Sequence, residues 1–567
     1  MRYRQTLIVF KVLFITLILG LFYRQVIQGE YFYNQSRRNV IRVISLEAAR
    51  GRILDRNGVV LADTIPSFDV SIIPQEVRNK PLLFERLSKI LGMPFEEIRQ
   101  IYQRRYLNPF VPVIISEKLD KNEIIALEEN KLQLPGVVVD IRPLRFYPFG
   151  KATSHVLGHL GQIDSYRITK LKPYGYEMSD LVGYGGVEEY YDLVLRGENG
   201  GEQVEVDNRG QRVRTVGYKP PQSGQDIQIT LDMRIQKIAD DVMHGTRGAV
   251  VILDPYSGDV IALSSYPSYD PNDFVKGNDS VIRSLLQDRR SPLFNRAIAG
   301  QYPPGSVFKI VTTTSALEKD ASLTNKTFVC NGSMQIGNRT YNCSSTHGAE
   351  NLRDAVIHSC NVYFYSLGML IGPDILHKYA SVLGLSRRTG IDLNYEAAGF
   401  IPSVNWKKVI MFQSWSKGDT ANMAIGQGEV LVTPLQLARM VSVFANGGEL
   451  VHPHLIKAIG NKNFIGKNKS VTIKKDVLKN IDSYLYGVVN NPEGTAYTAR
   501  VEGLRIYGKT GTAQVHGKAA HGWLVGYVGR DKPKYAFCVF LENVGSSHVA
   551  CTAAERILEE MSKQGLI

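Results

Sequence analysis

The first strongly hydrophobic segment lies close to the beginning of the chain. Leu7 to Tyr23 is apolar apart from Lys11, and Arg2 and Arg4 precede it. About 17 apolar residues are just enough to span a bilayer as a helix, and no small residues follow them as they would at a signal-peptide cleavage site. The pattern predicts an uncleaved transmembrane anchor over residues 7–23, with residues 1–6 on one side and the remainder on the other. A buried helix of a soluble protein is the alternative, but the segment has no amphipathic face.

Residues 24–228 alternate between short apolar strands, helical segments and glycine-rich turns, and they predict one mixed domain. The motif Asp55-Arg56-Asn57-Gly58 ends in Asn-Gly, which predicts a tight turn between two extended runs. Phe84 to Tyr102 has helical spacing with many charged positions, and it predicts a surface helix. The polar stretch Pro220–Gly224 predicts a junction near the end of this domain.

A second pattern runs through residues 229–567. The apolar runs Gly248–Leu253 and Val260–Ser264 flank a turn rich in proline and glycine, which predicts a β-hairpin. Strands near both ends of a helical middle predict a single α+β arrangement of layers. The other predicted elements are helices over Leu352–Leu370 and Thr433–Ala445, strands over Trp523–Val528 and Tyr535–Leu541, and a last helix over Thr552–Lys563 that Thr552 would cap.

Composition narrows the class of protein. The chain has 567 residues, of which 44% are hydrophobic and 21% charged, as is ordinary for folded domains rather than disordered or fibrous chains. The net charge of +13 would suit an anionic partner. The basic residues are scattered, however, and no zinc-finger or RNA-recognition motif is visible, so nucleic-acid binding is not expected. Five cysteines are too few for a disulfide-dense scaffold.

The first segment that indicates chemistry is Pro303-Pro304-Gly305-Ser306, with Lys309 three residues further on. Proline and glycine end regular structure, and the apolar run that follows predicts a helix with Ser306 in its first turn. Residues three apart share one face of a helix. A serine hydroxyl needs an adjacent base to act as a nucleophile, and a lysine whose pKa is lowered by burial can supply it.

Two further motifs follow in the chain, Ser359-Cys360-Asn361 and Lys509-Thr510-Gly511-Thr512. Single matches of this kind are weak, because Ser-x-x-Lys recurs at 414–417 and Ser-x-Asn at 403–405. The second copies run in the reverse order, and Lys-Thr-Gly occurs once. The order of the three motifs is therefore what carries the hypothesis.

In this order the motifs are those of β-lactamases and penicillin-binding proteins. From the N-terminal anchor, through Arg50-Gly51 and the Asn-Gly turn, to the strand after Lys509, the chain resembles a class B penicillin-binding protein. Further segments resemble the elongation branch of that family, penicillin-binding protein 2. They are Gly418-Asp419-Thr420, Gly426-Gln427-Gly428 and Thr433-Pro434-Leu435-Gln436.

The resemblance implies roles for eight residues. The implied catalytic residues are Ser306 as the nucleophile, Lys309 as its base, and Ser359 and Asn361, which relay protons and hold the substrate amide. The implied substrate-binding residues are Lys509, Thr510, Gly511 and Thr512. The first two of these would bind a carboxylate, and the N–H groups of Ser306 and Thr512 would form an oxyanion hole.

The resemblance also implies an α+β fold: an anchor at 7–23, an elongated pedestal at 24–228, and a β-lactamase-like transpeptidase domain at 229–567 with an antiparallel sheet packed against helices. The implied activity is cross-linking of peptidoglycan stem peptides during elongation, with inhibition by β-lactams and no cofactor or metal. Residues 1–6 would be cytosolic and the bulk of the chain periplasmic, beside a multi-spanning glycosyltransferase in the inner membrane. The alternatives are a septal class B enzyme, a β-lactam-sensing receptor and a β-lactamase.

Two cysteines, Cys330 and Cys343, fall in a loop region between the first two motifs. In an oxidising periplasm we expect them to form a disulfide that closes a loop of about 14 residues. The alternatives are free thiols and a zinc site built from these two cysteines, His347 and, as an optional fourth ligand, His358 or Cys360, although the spacing matches no strong zinc pattern.

Overall fold

The computed structural model describes residues 2–32, 41–106, 109, 112–117, 119–178, 180–206 and 212–567. Their contacts form two compact units. The smaller unit comprises residues 1–51, 64–144 and 196–224, and the larger comprises residues 52–63, 145–195 and 225–567. The chain therefore passes between the units several times. The domain boundaries drawn along the sequence, 24–228 and 229–567, divide it differently and stay a prediction.

An apolar helix lies at the N-terminal end of the smaller unit. It spans Arg2–Phe22 and continues as a π-helical turn over Tyr23–Ile27. The apolar stretch Tyr3–Ile27 is 25 residues long and wholly exposed, with a mean hydropathy of 2.3 in its most apolar window. An exposed apolar helix of this length is what a bilayer accommodates. The helix is consistent with the predicted single-pass anchor.

The rest of the smaller unit combines sheets with helices. The strands Ile41–Leu46, Gly200–Val206 and Arg212–Lys219 form an antiparallel sheet, and the end of Val60–Ile72 pairs with Val113–Ser116 and with Val137–Phe146. The helices are Lys80–Leu91, Phe95–Arg105 and Lys121–Glu129. The prediction of one helix over Phe84–Tyr102 is wrong, because Gly92 adopts a left-handed conformation (φ +62°) and Pro94 follows it.

A five-stranded antiparallel sheet organises the larger unit. Its strands, in spatial order, are Val260–Tyr266, Gly248–Leu253, Pro533–Leu541, Lys518–Gly529 and Arg505–Val515. The helices Met233–Met243 and His548–Lys563 pack on the sheet and against each other. The helix Pro434–Ala445 also packs on the sheet and is buried along its whole length, which places it inside the domain.

The larger unit contains many shorter elements. Its other helices are Ser154–Leu157, Ser165–Leu171, Gly186–Tyr190, Asp192–Leu195, Pro271–Val275, Asp279–Gln287, Lys309–Lys319, Leu352–Ile357, Asn361–Ile371, Pro373–Val382, Val404–Ile410, Lys417–Ala424 and Lys475–Asn490. Its other strands are Ile53–Leu54, His159–Gln162, Leu181–Tyr184, Ile227–Ile229, Phe328–Cys330, Ser333–Ile336, Arg339–Asn342, Gly348–Glu350, Glu449–Leu450, Ile456–Ile459, Lys462–Asn463 and Lys469–Ser470.

Several predicted elements are confirmed. The hairpin over 248–264, the strands near 523 and 535, and the extended runs on both sides of the Asn-Gly turn are all present. Two predictions are wrong. Residues 352–370 form two helices separated at residues 358–360 rather than one, and the last helix begins at His548, so Thr552 lies inside it and does not cap it.

Candidate active site

The three predicted motifs meet at one cleft of the larger unit, about 1200 Å³ in volume. Ser306, Ser359, Asn361, Thr510 and Thr512 line it. The amines of both motif lysines reach the second motif from buried positions. Gly511 lies in the edge strand that carries the third motif. The structure therefore brings together all eight residues that the resemblance implied, although their roles stay predictions.

The nucleophile candidate lies in a short 3₁₀ turn. Gly305–Phe308 forms this turn, and the helix Lys309–Lys319 continues directly from it. Side chains three residues apart eclipse each other in a 3₁₀ helix, so Ser306 and Lys309 face the same side. Gly305 has a φ of +55°, and a Cβ there would lie 2.7 Å from the carbonyl oxygen of Thr512. Glycine thus allows the turn and the third motif to touch.

Lys309 is fully buried, and the second motif binds its amine. Its Nζ donates to the carbonyl oxygen of Ser359 (2.6 Å), to Ser359 Oγ (3.2 Å) and to Asn361 Oδ1 (2.7 Å). Burial lowers the pKa of Lys309 to about 7, because desolvation disfavours the charged form. Among the described residues, no hydrogen bond joins Ser306 to this amine. The lysine is therefore held by the second motif, ready to act as a base at neutral pH.

Ser359 lies between the two helices that were predicted to be one. Its φ is +58°, a region that non-glycine residues seldom occupy. In this conformation both its carbonyl group and its hydroxyl face Lys309, while Lys509 Nζ donates to the same hydroxyl at 2.8 Å. Burial and the neighbouring Lys309 charge both lower the pKa of Lys509. One hydroxyl that contacts two amines can pass a proton between them.

The third motif lies on the edge strand Arg505–Val515. A Cβ at Gly511 would lie 2.6 Å from the carbonyl oxygen of Pro304, so only glycine lets this strand pack against the nucleophile turn. Thr510 Oγ1 donates to Thr495 Oγ1 at 2.9 Å. The described residues that line the cleft include no aspartate or glutamate, whereas Lys518 and several histidines do line it. The cleft therefore favours an anionic substrate.

The second copies of the motifs have structural roles. Ser403 Oγ accepts from the N–H of Trp406 and caps the helix Val404–Ile410. Ser416 caps the helix Lys417–Ala424, and Ser414 is exposed in the loop before it. Neither copy contributes a residue to the lining of the cleft.

A cluster of sulfur and nitrogen ligands lies beside the second motif. The Sγ atoms of Cys330, Cys343 and Cys360 and a ring nitrogen of His347 all lie within 4.8 Å of one another. His347 Nδ1 is 3.6 Å from the sulfurs of both Cys330 and Cys343. The predicted Cys330–Cys343 disulfide is wrong, because both cysteines are free. Each thiol has three other ligand groups within 4.8 Å, rather than a single disulfide partner.

Three thiols and one imidazole are a ligand set typical of structural zinc sites. Cys360 is the middle residue of the second motif, and Cys343 Sγ accepts from the N–H of Asn361 at 3.1 Å. A zinc ion at this cluster would tie the strands around Arg339–Asn342 to the turn at Ser359. The sequence predicts this set of four ligands only as one of several alternatives, because the residues come from separate local segments of the chain.

Comparison with known proteins decides the family. The penicillin-binding protein transpeptidase domain matches residues 248–562, and the penicillin-binding protein dimerisation domain matches residues 45–229. The chain is a class B penicillin-binding protein. The family and the α+β fold predicted from the motifs are confirmed.

Similar proteins come from the elongation branch. The peptidoglycan D,D-transpeptidase MrdA of Acinetobacter baumannii is 33% identical, covering 92% of this chain and 81% of that protein. MrdA of Escherichia coli K12 is 31% identical, covering 96% and 91%. Penicillin-binding protein 2 of Helicobacter pylori, solved in complex with MreC, has a TM-score of 0.82 at 30% identity, covering 93% and 99%. The predicted elongation branch is confirmed.

The cysteine cluster generates a prediction about metal content. We expect the full chain, purified without chelator, to hold about one zinc ion, because four suitable ligands converge. Elemental analysis of protein with and without Cys343→Ser measures this, and the variant should lose most of the metal. Cys538→Ser, which alters a buried strand cysteine outside the cluster, is the control. Metal-free wild-type protein, or a Cys330–Cys343 disulfide found by mass spectrometry, would contradict the prediction.

Proposed function

We propose that this class B penicillin-binding protein cross-links peptidoglycan stem peptides through an acyl-enzyme on Ser306, as an elongation-type D,D-transpeptidase. One observation carries the proposal. The buried Lys309 amine, with its pKa lowered to about 7, lies one turn from Ser306 and is bound by the second motif. A neutral lysine next to a serine at the start of a helix can act as the base that activates the serine as a nucleophile.

In the first half-reaction, Ser306 Oγ attacks the carbonyl carbon of the penultimate D-Ala, and Lys309 takes the hydroxyl proton. The developing oxyanion is stabilised by the N–H groups of Ser306 and Thr512. The C–N bond then breaks, and the proton returns through Ser359 to the leaving D-Ala amine. The contacts of the Ser359 hydroxyl with both lysine amines support this relay.

In the second half-reaction, an amine of a neighbouring stem peptide attacks the ester. Its proton passes to Lys309, the new amide bond forms, and Ser306 Oγ leaves with a proton from the same relay. Before the first half-reaction, the terminal carboxylate of the donor peptide, which later leaves with D-Ala, lies against Lys509 and Thr510 and accepts hydrogen bonds from the amine and the hydroxyl. The absence of acidic side chains among the described lining residues supports this orientation.

The chain acts at the inner membrane beside other elongation proteins. The H. pylori relative is solved with MreC, and a relative with a TM-score of 0.75 over 99% of this chain is solved in a peptidoglycan synthase complex of polymerization and crosslinking. We infer from this likeness that the partner is a peptidoglycan polymerase. The family resemblance implies that it is a multi-spanning glycosyltransferase that contacts the anchor and the pedestal. The exposed apolar helix Tyr3–Ile27 supports a single-pass arrangement with the bulk of the chain in the periplasm.

The alternative functions require structural features that differ from those of a transpeptidase of the elongation branch. A β-lactam-sensing receptor needs several membrane spans, and the described residues hold one helix of sufficient length and hydropathy. A β-lactamase needs a positioned glutamate that activates water, and no acidic residue lines the described cleft. A septal enzyme would use the same chemistry, and the MrdA relatives favour elongation.

The nucleophile is tested by substitution. Ser306→Ala should abolish covalent labelling by fluorescent penicillin, because Ser306 is the hydroxyl one turn before Lys309 at the cleft, whereas the Ser359 hydroxyl is already bound by both lysine amines. Ser414→Ala, in the exposed copy of the motif, is the matched control and should label normally. Labelling of the first variant at the wild-type rate, read from gel fluorescence, would remove the central claim.

The lowered pKa of Lys309 gives a pH dependence. A base works when neutral, so the acylation rate should rise from about pH 5, pass its midpoint near 7 and level off above about 8. Stopped-flow measurements with a chromogenic β-lactam give the profile. Because His358 also lines the cleft, His358→Gln is the control and should keep the same midpoint. A flat or falling profile would show that Lys309 is not the base.

The lifetime of the acyl-enzyme separates a transpeptidase from a drug-hydrolysing enzyme. With no carboxylate lining the described cleft, water lacks a dedicated base, and losing such a base costs about 10² to 10⁴ in rate. The penicilloyl ester on Ser306 should therefore persist for many minutes. Intact-protein mass spectrometry after a brief penicillin pulse follows it. Recovery of the unmodified mass within seconds would make this protein a hydrolase.

Membrane orientation is tested with a reporter. We infer that residues 1–6 lie in the cytosol and the C-terminus in the periplasm, because the described residues hold one apolar helix long enough to span a membrane and the substrate is extracytoplasmic. A reporter that is active only in the cytoplasm, fused after Ile567, should therefore be silent. A periplasm-active reporter at the same position is the positive control. The opposite pattern would reverse the topology.

A further inference from the structure

The four residues before Ser306, residues 302–305, have few backbone N–H groups that can donate hydrogen bonds. We call them the nucleophile segment. Pro303 and Pro304 have no backbone N–H. Neighbouring parts of the domain therefore hold the segment. Tyr302 exchanges two backbone hydrogen bonds with Val432, each 2.9 Å, and Trp523 Nε1 donates to the carbonyl oxygen of Pro303 at 3.1 Å.

The side chain of Tyr302 has a further anchor. Its hydroxyl donates to Glu542 Oε1 at 2.8 Å, and its ring packs on Phe540 with the centroids 4.2 Å apart. Glu542 directly follows the strand Pro533–Leu541, and its side chain is 9% exposed. The phenol–carboxylate hydrogen bond thus joins this segment to the end of the central strand of the main sheet, in addition to the bond that Trp523 makes.

The carboxylate of Glu542 is itself held by two arginines. Arg296 Nε donates to Oε1 at 2.9 Å, and Arg247 Nη2 lies 3.0 Å from Oε2. Arg296 is buried and also donates to the carbonyl oxygens of Arg290 and Ser291. Two guanidinium groups already compensate the buried charge, so the tyrosine is not needed to neutralise it. The hydrogen bond from the Tyr302 hydroxyl instead fixes the position of the Tyr302 side chain relative to the sheet.

The position of Tyr302 in turn determines that of Ser306, because the residues between them have little conformational freedom. Each proline locks φ near −65°, so residues 303 and 304 act as a short spacer with little freedom. The glycine at 305 is confined by Thr512 on one side and, through its N–H, by the carbonyl oxygen of Gly426 at 2.9 Å. A shift of Tyr302 therefore moves the serine hydroxyl relative to Lys309.

We propose that Tyr302 and Glu542 are positioning residues for the acyl transfer, which hold Ser306 Oγ in line with its base and with the oxyanion donors. The inference rests on the proposed function. It predicts an effect on the chemical step rather than on binding, because neither side chain belongs to the described lining of the cleft.

The chain offers a closely matched control. Tyr191 donates its hydroxyl to Asp392 Oδ2, also at 2.8 Å, and like Tyr302 it is half-buried in the larger unit. Tyr191→Phe thus deletes an equivalent phenol–carboxylate bond that has no connection to the nucleophile segment. A loss that comes only from a weakened fold would affect both variants alike.

The experiment measures acylation of the full-length, detergent-solubilised protein by a fluorescent penicillin over a range of concentrations, which separates the binding constant from the first-order acylation rate. Tyr302→Phe should lower that rate about tenfold to hundredfold, as expected for a small misplacement of reacting groups. Its binding constant and thermal midpoint should stay near wild type. Tyr191→Phe should leave the acylation rate unchanged.

A second variant tests the carboxylate. Glu542→Asp keeps the charge for both arginines but withdraws the oxygen from Tyr302 by one carbon, and it should lower the same rate constant. An unchanged rate in Tyr302→Phe, an equal loss in Tyr191→Phe, or a change confined to binding would overturn the proposal. Wild-type protein that is not acylated at all would instead refute the proposed function.

Discussion

Two buried lysine amines converge on one serine hydroxyl at the edge of the cleft, and the rest of the site is arranged around that contact. Lys309 and Lys509 are both fully buried, and both donate to Ser359 Oγ. Charging both at once is disfavoured by desolvation and by their mutual repulsion. Burial lowers the pKa of Lys309 to about 7, as the proposed general base requires, and burial together with the Lys309 charge lowers the pKa of Lys509.

The contact depends on a backbone conformation that the chain would not adopt by itself. Ser359 has a positive φ, and a strained residue persists only when its surroundings determine it. On one side, the N–H of Cys360 donates to the carbonyl oxygen of Ala355 at 3.0 Å. On the other, the N–H of Asn361 donates to the sulfur of Cys343. The cysteine cluster thus helps to hold the turn at Ser359.

Sequence reasoning succeeds here where the information is local or ordered along the chain. The three motifs predicted the cleft because their order is specific, and the strands were predicted because their apolar runs are bounded by turns. Sequence reasoning fails where an apolar helical pattern continues across the end of a helix. The apolar spacing of residues 352–370 continues across Cys360, so nothing local shows that the helix ends. The cysteine cluster was predicted only as an alternative to a disulfide, because the spacing matches no strong zinc pattern. The Tyr302–Glu542 bond was not predicted, because its partners come from distant segments.

Two features of the cleft concern the choice between water and an amine as the second nucleophile. They are the lowered pKa of Lys309 and the lack of acidic side chains among the described lining residues. In the proposed mechanism, Lys309 must be neutral at the start of each half-reaction, first to accept the serine proton and then to accept the proton of the incoming amine. A pKa near 7 meets both demands, because the base then recovers its proton-accepting form as soon as the leaving amine is protonated. The same lysine could in principle activate water, and no carboxylate lines the described cleft to favour water over the amine. The discrimination must therefore come from access and orientation. An amine delivered on a bound peptide arrives aligned with the ester, whereas a water molecule has no group that fixes it there.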